Sequence, residues 1–403
     1  MRSHLHILNE HPDSLSEISS EQDYDRFSRQ TLNVDRSVTV NLSAKSAPSV
    51  TEDGPVELNE RCDGQNLSSP PDPLNPKRSV EPMQPRRRLG KTNIEITPVA
   101  MGCWPITGIT SVDVTRERSE ATIRAAFEAG INFFDTAYMY GYDAESEKML
   151  GDVLPEFRNE IVIATKCGLH WENKVSVSDA SPARIITECN ESLRRLGTDR
   201  VELYYLHAPD PKVPVAESAR AILELMQAGK VLSAGLSNAS VEELAEFHAV
   251  CPLSAYQPHY NMLQREIEDS QLPWCIENSV STMVYWPLMK GLLAGKLARD
   301  HQFDPKDGRQ KYPMFHGEEW EKNHNFIDRL REIADGIGRS IPALVVNWKI
   351  QRPGITAALC GAKRPEQIVE TASALTWQLP TEVISDIDQA IADRGPTVSR
   401  GAV

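Results

Sequence analysis

Four side chains near the middle of the sequence have acid/base capacity and stand where apolar runs end: Asp135, Tyr140, Lys166 and His207. A carboxylate, a phenol, an ammonium and an imidazole brought together can move protons and stabilise developing charge. Taken singly, a strand-end Asp is most often a cap, a Tyr a packing ring, a Lys a solvated charge and a His a satisfied hydrogen bonder. Their order argues for more. Asp135 and Tyr140 follow one apolar run, and Lys166 and His207 close the next two. A parallel α/β barrel assembles its site in this way, from the carboxyl ends of several strands. A second set suits an anion. Lys363 and Arg364 precede Pro365 at the start of a helical pattern, and a helix N-terminus with adjacent cations is a natural phosphate site. Ser237, Asn238 and Gln257 add hydroxyl and amide groups at two further strand ends.

The elements that must position these groups alternate along the chain. Residues 88–98 read as a short hairpin turning around Gly90 to Asn93. Short apolar runs predict strands at 99–104, 131–134, 160–166, 201–207, 231–238, 255–257, 281–285 and 355–360. Helical spacing predicts helices at 120–129, at one ending near 150–154, and at 181–196, 215–228, 240–249, 323–336, 342–351 and 365–375. Ser181 followed by Pro182 is a capping residue with Pro at the first helical position, and Gly130 and Gly197 are C-terminal stops. Eight strand-plus-helix units in about 300 residues fit one (β/α)8 TIM barrel. A doubly wound sheet would want a G-x-G-x-x-G turn after its first strand, and Gly102-Cys103-Trp104-Pro105 is not one. The stretch 303–325 is long and polar and reads as a loop.

Composition narrows the class. A net charge of -14 argues against a nucleic-acid or anionic-membrane binder. No apolar run approaches the roughly 18–20 residues that span a bilayer, and the N-terminus lacks the apolar segment of a signal peptide. Seven scattered cysteines without a C-x-x-C support neither a disulfide framework nor a metal site, and the expected setting is a reducing cytoplasm. Residues 1–82 are rich in Ser, Asp, Glu, Asn and Pro without periodicity. Too little apolar surface is present to offset an ordering entropy of about 1–2 kcal/mol per residue. They read as a disordered extension ahead of a barrel at 83–394, with a flexible tail at 395–403. Gly291-Leu292-Leu293-Ala294-Gly295-Lys296-Leu297 is one residue short of a nucleotide-triphosphate loop and lacks its Ser or Thr, which excludes that reading.

Phe134-Asp135-Thr136-Ala137 with Tyr140-Gly141, then Thr165-Lys166, then Leu206-His207, resembles the tetrad motifs of the aldo-keto reductases, over about Arg86 to Arg394. The resemblance implies an NAD(P)H-dependent enzyme that reduces an aldehyde or ketone, or oxidises the corresponding alcohol. It implies Tyr140 as general acid, Lys166 as its electrostatic partner, Asp135 as the holder of Lys166, and His207 as the group orienting the substrate carbonyl. The chemistry is consistent, because a free phenol with pKa about 10 is a weak acid and a neighbouring ammonium lowers that by about 1–3 units. It further implies that Ser237, Asn238 and Gln257 hold the nicotinamide carboxamide and that Tyr285 stacks on its ring. Gly102, Trp104, Leu288, Gly291 and Gly361 belong to the implied cofactor set, and Lys363, Arg364, Gln367 and Glu370 to the grip on an adenosine 2′-phosphate. NADP is therefore expected over NAD. Trp286 departs from the family's Ser-Pro-Leu, removing a hydroxyl donor and adding bulk. Gln367 and Thr371 replace a frequent Arg and Asn. Trp104, Tyr138, Trp171 and His207 are the expected substrate wall, with no metal. Two rival readings are an NADP-binding regulatory subunit with little turnover and an NAD-dependent sugar dehydrogenase.

Overall fold

The computed structural model describes residues 86–305 and 307–398. The extension expected at 1–82 lies outside the described residues, as does the end of the expected tail. The chain enters on a hairpin of Arg87–Arg88 (β1) and Glu95–Ile96 (β2), paired antiparallel. Its turn needs Gly90 twice over: φ is 54°, and a Cβ would lie 2.6 Å from the Ser254 carbonyl oxygen.

The strands that follow are β3 (Val99–Gly102), β4 (Phe133–Asp135), β5 (Val162–Cys167), β6 (Leu169–Glu172), β7 (Val175–Ser178), β8 (Leu203–Leu206), β9 (Ala234–Ser237), β10 (Leu253–Gln257), β11 (Ser281–Val284) and β12 (Ile355–Gly361). β6 and β7 form a separate antiparallel pair, and the other eight close into a parallel barrel in chain order, with β12 pairing back to β3. The two-residue period of a strand divides the apolar side chains. Ala100, Phe133, Ala164, Leu203, Tyr205 and Met283 fill the barrel. Met101, Phe134, Ile163, Tyr204 and Leu236 join the layer under the helices. Gly235 leaves room inside, since a Cβ there would meet the Tyr205 ring at 2.3 Å. Leu89 and Ile96 of the hairpin are fully buried in the inner cluster. Gly90 N–H donates to Ser281 Oγ at the first residue of β11, and Arg87 donates to the carbonyls of Ile350, Ile355 and Thr356. The hairpin thus plugs the amino end of the barrel.

Ten α-helices are described: α1 (Arg116–Glu128), α2 (Glu145–Val153), α3 (Pro182–Leu196), α4 (Val215–Gln227), α5 (Val241–Val250), α6 (Gln271–Asn278), α7 (Gly317–Gly336), α8 (Ile341–Ile350), α9 (Pro365–Ala372) and α10 (Thr381–Arg394). Among the described residues no helix is long and apolar enough to cross a membrane. α3 starts on Pro182 and stops at Gly197 in the left-handed region, as its sequence predicts, although the Ser181 side chain makes no capping bond. α5 opens with a capping box between Ser240 and Glu243. The polar stretch 303–325 is not one loop: 3-10 turns at Gly308–Lys311 and Pro313–Phe315 lead into α7, where Trp320, Phe326 and Ile327 bury a stripe. The β6–β7 pair, α6 and α10 are elements that the sequence reading did not anticipate.

Candidate active site

Asp135 ends β4, Lys166 lies near the end of β5, and His207 follows β8, so neighbouring strands deliver them to one end of the barrel. Tyr140 returns over that end from the loop after β4, where Gly141 at φ 103° makes the turn; a Cβ on it would run into Glu145. Lys166 Nζ donates to Asp135 Oδ1 at 2.5 Å, to the Thr136 carbonyl at 2.8 Å and to the Tyr140 hydroxyl at 3.2 Å. Gln257 Nε2 donates to the other carboxylate oxygen, Asp135 Oδ2, at 2.7 Å. The Asp135 and Lys166 side chains are 2% and 0% exposed. Burial raises the Asp135 carboxyl and lowers the Lys166 ammonium, and the attraction between the two opposes both effects. His207 is buried beside Tyr140, with ring centroids 5.9 Å apart. Burial and then the nearby Lys166 charge push its pKa well below the ordinary value, which favours the neutral imidazole. Trp104 meets the Tyr140 ring edge-on at 5.1 Å.

A cavity of about 430 Å³ opens from this cluster. Asp135, Tyr140, Gln257 and Tyr285 line it, Gly102 and Gly361 lie side by side on paired strands with Trp104 beside them, and Lys363, Arg364 and Gln367 extend the lining from the residues after Gly361. Leu288 and Gly291 lie along its wall, together with Trp286. Three of the residues expected to touch a cofactor are turned to other partners and are not among the lining residues. Ser237 Oγ donates to the Gln257 carbonyl; Asn238 Nδ2 donates to the His207 carbonyl, and its Oδ1 accepts from the Tyr285 hydroxyl. These two groups brace the residues beside them. Glu370 is paired with Lys296.

Tyr138 is the clearest correction. Its hydroxyl donates to Glu191 Oε2 at 2.6 Å, and Arg195 packs over its ring at 4.3 Å. Both partners belong to α3, outside the barrel. Strand pairing explains this, because Thr136 N–H and Tyr138 N–H donate to Ala164 and Lys166 carbonyls and carry the two-residue alternation past β4. Asp135 faces inward and Tyr138 outward. Trp171 is fixed by donation to the Met139 carbonyl and packs on half-exposed Tyr142 at 5.1 Å, at the rim rather than in the cavity lining. Cys167 is buried and its thiol is pushed well up by burial, consistent with an inert neighbour of Lys166.

Several lining residues escaped the sequence reading. Lys290 and Lys296 flank and enter the glycine-rich run that fails as a triphosphate loop, yet that run forms a cavity wall. Trp286, Met289, Lys290 and Gly291 there have φ of 56°, 48°, 53° and 88°. Asp307 and Arg309 come from the 303–325 stretch, which reads in sequence as a loop. Arg309 grips Asp307 with Nη2 to Oδ2 at 2.6 Å. Against the upward push of burial, that contact holds Asp307 below the usual carboxylate range. Burial, followed by the charges of Arg309 and Arg364, lowers the Lys363 ammonium. Crowded cations of this kind are relieved by an anion.

The Aldo/keto reductase family matches residues 98–392. An aldo-keto reductase of Bacillus subtilis (strain 168), YhdN, is 37% identical over 303 residues, covering 74% of this chain and 91% of that protein. An NADH-specific methylglyoxal reductase of Escherichia coli (strain K12) is 31% identical over 307 residues, covering 72% and 93%. Among solved structures, the glycerol dehydrogenase AKR11B4 from Gluconobacter oxydans superposes with a TM-score of 0.73 at 34% identity, over 78% of this chain and 97% of that one. The chain belongs to the aldo/keto reductase family. It is thereby an NAD(P)H-dependent oxidoreductase acting on small carbonyl compounds.

Proposed function

We propose that the protein reduces a small aldehyde or ketone with NADPH, or runs the reverse oxidation, and that Tyr140 is the proton donor. The observation that carries this reading is the buried chain from Asp135 through Lys166 to the Tyr140 hydroxyl, at the edge of a cavity that reaches Lys363 and Arg364. The nicotinamide cofactor supplies hydride when bound. Reduction leaves an alkoxide that needs a proton, and Tyr140 can give its own because the Lys166 charge stabilises the phenolate left behind. Asp135 keeps that charge in place. Neutral His207 offers a ring N–H to the carbonyl oxygen without competing for the proton. Gln257 and Tyr285 suit the nicotinamide end, and Lys363, Arg364 and Arg309 suit the phosphate end, which favours NADPH.

NADH use is the second reading, and two contacts favour it. Asp307 neutralises Arg309 and Glu370 neutralises Lys296, so two of the cavity's cations are already paired. Stopped-flow mixing of the protein with NADPH or NADH and a panel of aldehydes separates the readings. Faster consumption of NADPH is expected, and Tyr140→Phe should cut turnover by about 10²–10⁴-fold at near-unchanged cofactor affinity. No consumption with any aldehyde would favour a regulatory subunit that binds cofactor without turning over. The domain reading that accompanies this proposal is one barrel at 83–394.

A further inference from the structure

One wall of the cavity rests on a buried lysine. Lys349 lies on α8, where every residue is buried, and it is fully enclosed. Its Nζ donates to the Pro287 carbonyl at 2.7 Å, the one hydrogen bond it makes among the described residues. The Tyr260 ring centroid is 6.0 Å away, and the titratable neighbour is Cys360 of β12, a thiol that burial pushes up to about 12 and so keeps uncharged. An ammonium with three donors and one acceptor is poorly served, and burial brings its pKa down to about 7. Around it α8 presents Leu344, Val345, Val346, Trp348 and Ile350, so an aliphatic residue would suit the packing at least as well. Replacing buried charge by well-packed apolar groups is often neutral or stabilising. The fold therefore gives no reason for a lysine here. Pro287 does. It has no N–H of its own, so its carbonyl is the backbone group by which it can be tied. It also sits among residues held in the left-handed region, Trp286 before it and Met289 to Gly291 after it, a conformation that persists only where surroundings enforce it.

We infer that Lys349 is a positioning residue for cofactor binding: by holding the Pro287 carbonyl it fixes the turn over 286–291, which brings Trp286, Leu288, Lys290 and Gly291 to the cavity. The inference rests on the reading that this cavity takes the nicotinamide cofactor. Lys349 lies outside the lining and acts through the backbone. In that role the donor matters more than the charge, because a neutral amine or amide also donates to a carbonyl.

Two full-length variants test it. Lys349→Met keeps an unbranched side chain as far as the ε position and removes the donor, and Lys349→Gln, equally one atom shorter, keeps an N–H without the charge. Each is titrated with NADPH and NADH by quenching of tryptophan fluorescence, since Trp104 and Trp286 border the cavity. Steady-state kinetics and thermal melts accompany the titrations. Lys349→Met is expected to weaken the Kd and raise the KM of the preferred cofactor about tenfold. Its kcat should stay within about threefold of wild type, and its Tm should not fall. Lys349→Gln should recover most of the affinity. Unchanged affinity in the Met variant overturns the inference. A lower Tm with kcat and KM lost together also overturns it, because that pattern marks general packing. Wild-type protein quenched by neither cofactor would remove the cavity reading itself, and the inference with it.

Discussion

Asp135→Asn tests how much of the site depends on one buried charge. The substitution keeps shape and removes the counterion from Lys166, whose side chain is 0% exposed. Breaking one side of a buried pair costs about 3–5 kcal/mol. The loss also has a ceiling, because Lys166 can shed its proton. From an ordinary pKa of 10.5, neutralisation at pH 7 costs about 1.36 × 3.5 ≈ 4.8 kcal/mol. The two routes agree, so the variant should be about 3–5 kcal/mol less stable and should carry a largely neutral Lys166 at pH 7. A neutral amine does little for a phenolate, and kcat should fall about 10²–10³-fold. The deficit should shrink as pH falls and Lys166 regains its proton. Gln257, which now donates to Asp135 Oδ2, can rotate its amide and accept from the new side chain. Urea denaturation and a pH–rate profile of wild type and variant read both effects. A variant within threefold of wild-type kcat from about pH 6 to 8, at unchanged stability, would refute this account of Lys166.

Two further outcomes follow from other parts of the structure. Lys363→Ala combined with Arg364→Ala should weaken NADPH binding about 10–100-fold and leave NADH within about threefold, as read by titration; an unchanged preference would sink the assignment of the phosphate end. Glu188 on α3 accepts from Gly168 N–H and Arg184 Nε, and burial raises its pKa from 4.5 to about 7. Because the folded value lies above the unfolded one, its stabilising contribution is fully present below pH 4.5 and is lost as pH rises through about 7. Wild type should therefore lose about 3 kcal/mol relative to Glu188→Gln across that window, measured by denaturation at each pH. Parallel pH dependences in the two proteins would refute it.

The barrel was legible because each of its strands is a short apolar run closed by polar or small residues, and the helices between them carry caps such as Pro182 with Gly197. Other elements hid for physical reasons. α6 is short, contains Pro273 and buries only Leu272 and Cys275, so its periodicity is faint. The β6–β7 hairpin turns on Asn173 and Lys174, both in the left-handed region, without the glycine that usually signals such a turn. α10 did carry a readable stripe in Val383, Ile387 and Ala390. The four acid/base groups could be picked out because type and order suffice for them. Tyr138 could not, since facing is a matter of parity and parity needs the register of β4 on β5. Lys349 reads in sequence as a break in an apolar helix; only the position of the Pro287 carbonyl gives it a partner.

The plug at the amino end of the barrel has a practical side. Leu89 and Ile96 close the floor while Asp135, Tyr140 and the other cavity-lining groups stand at the opposite mouth. The strands between are about 15 Å tall at 3.3 Å per residue. A surface, tag or second enzyme joined directly at Arg86, in place of residues 1–85, therefore meets the barrel on its blind side. Tethering through that end should leave diffusion to the mouth unobstructed, whereas trimming past Ile96 would uncork the barrel from below and let water into its inner column of side chains.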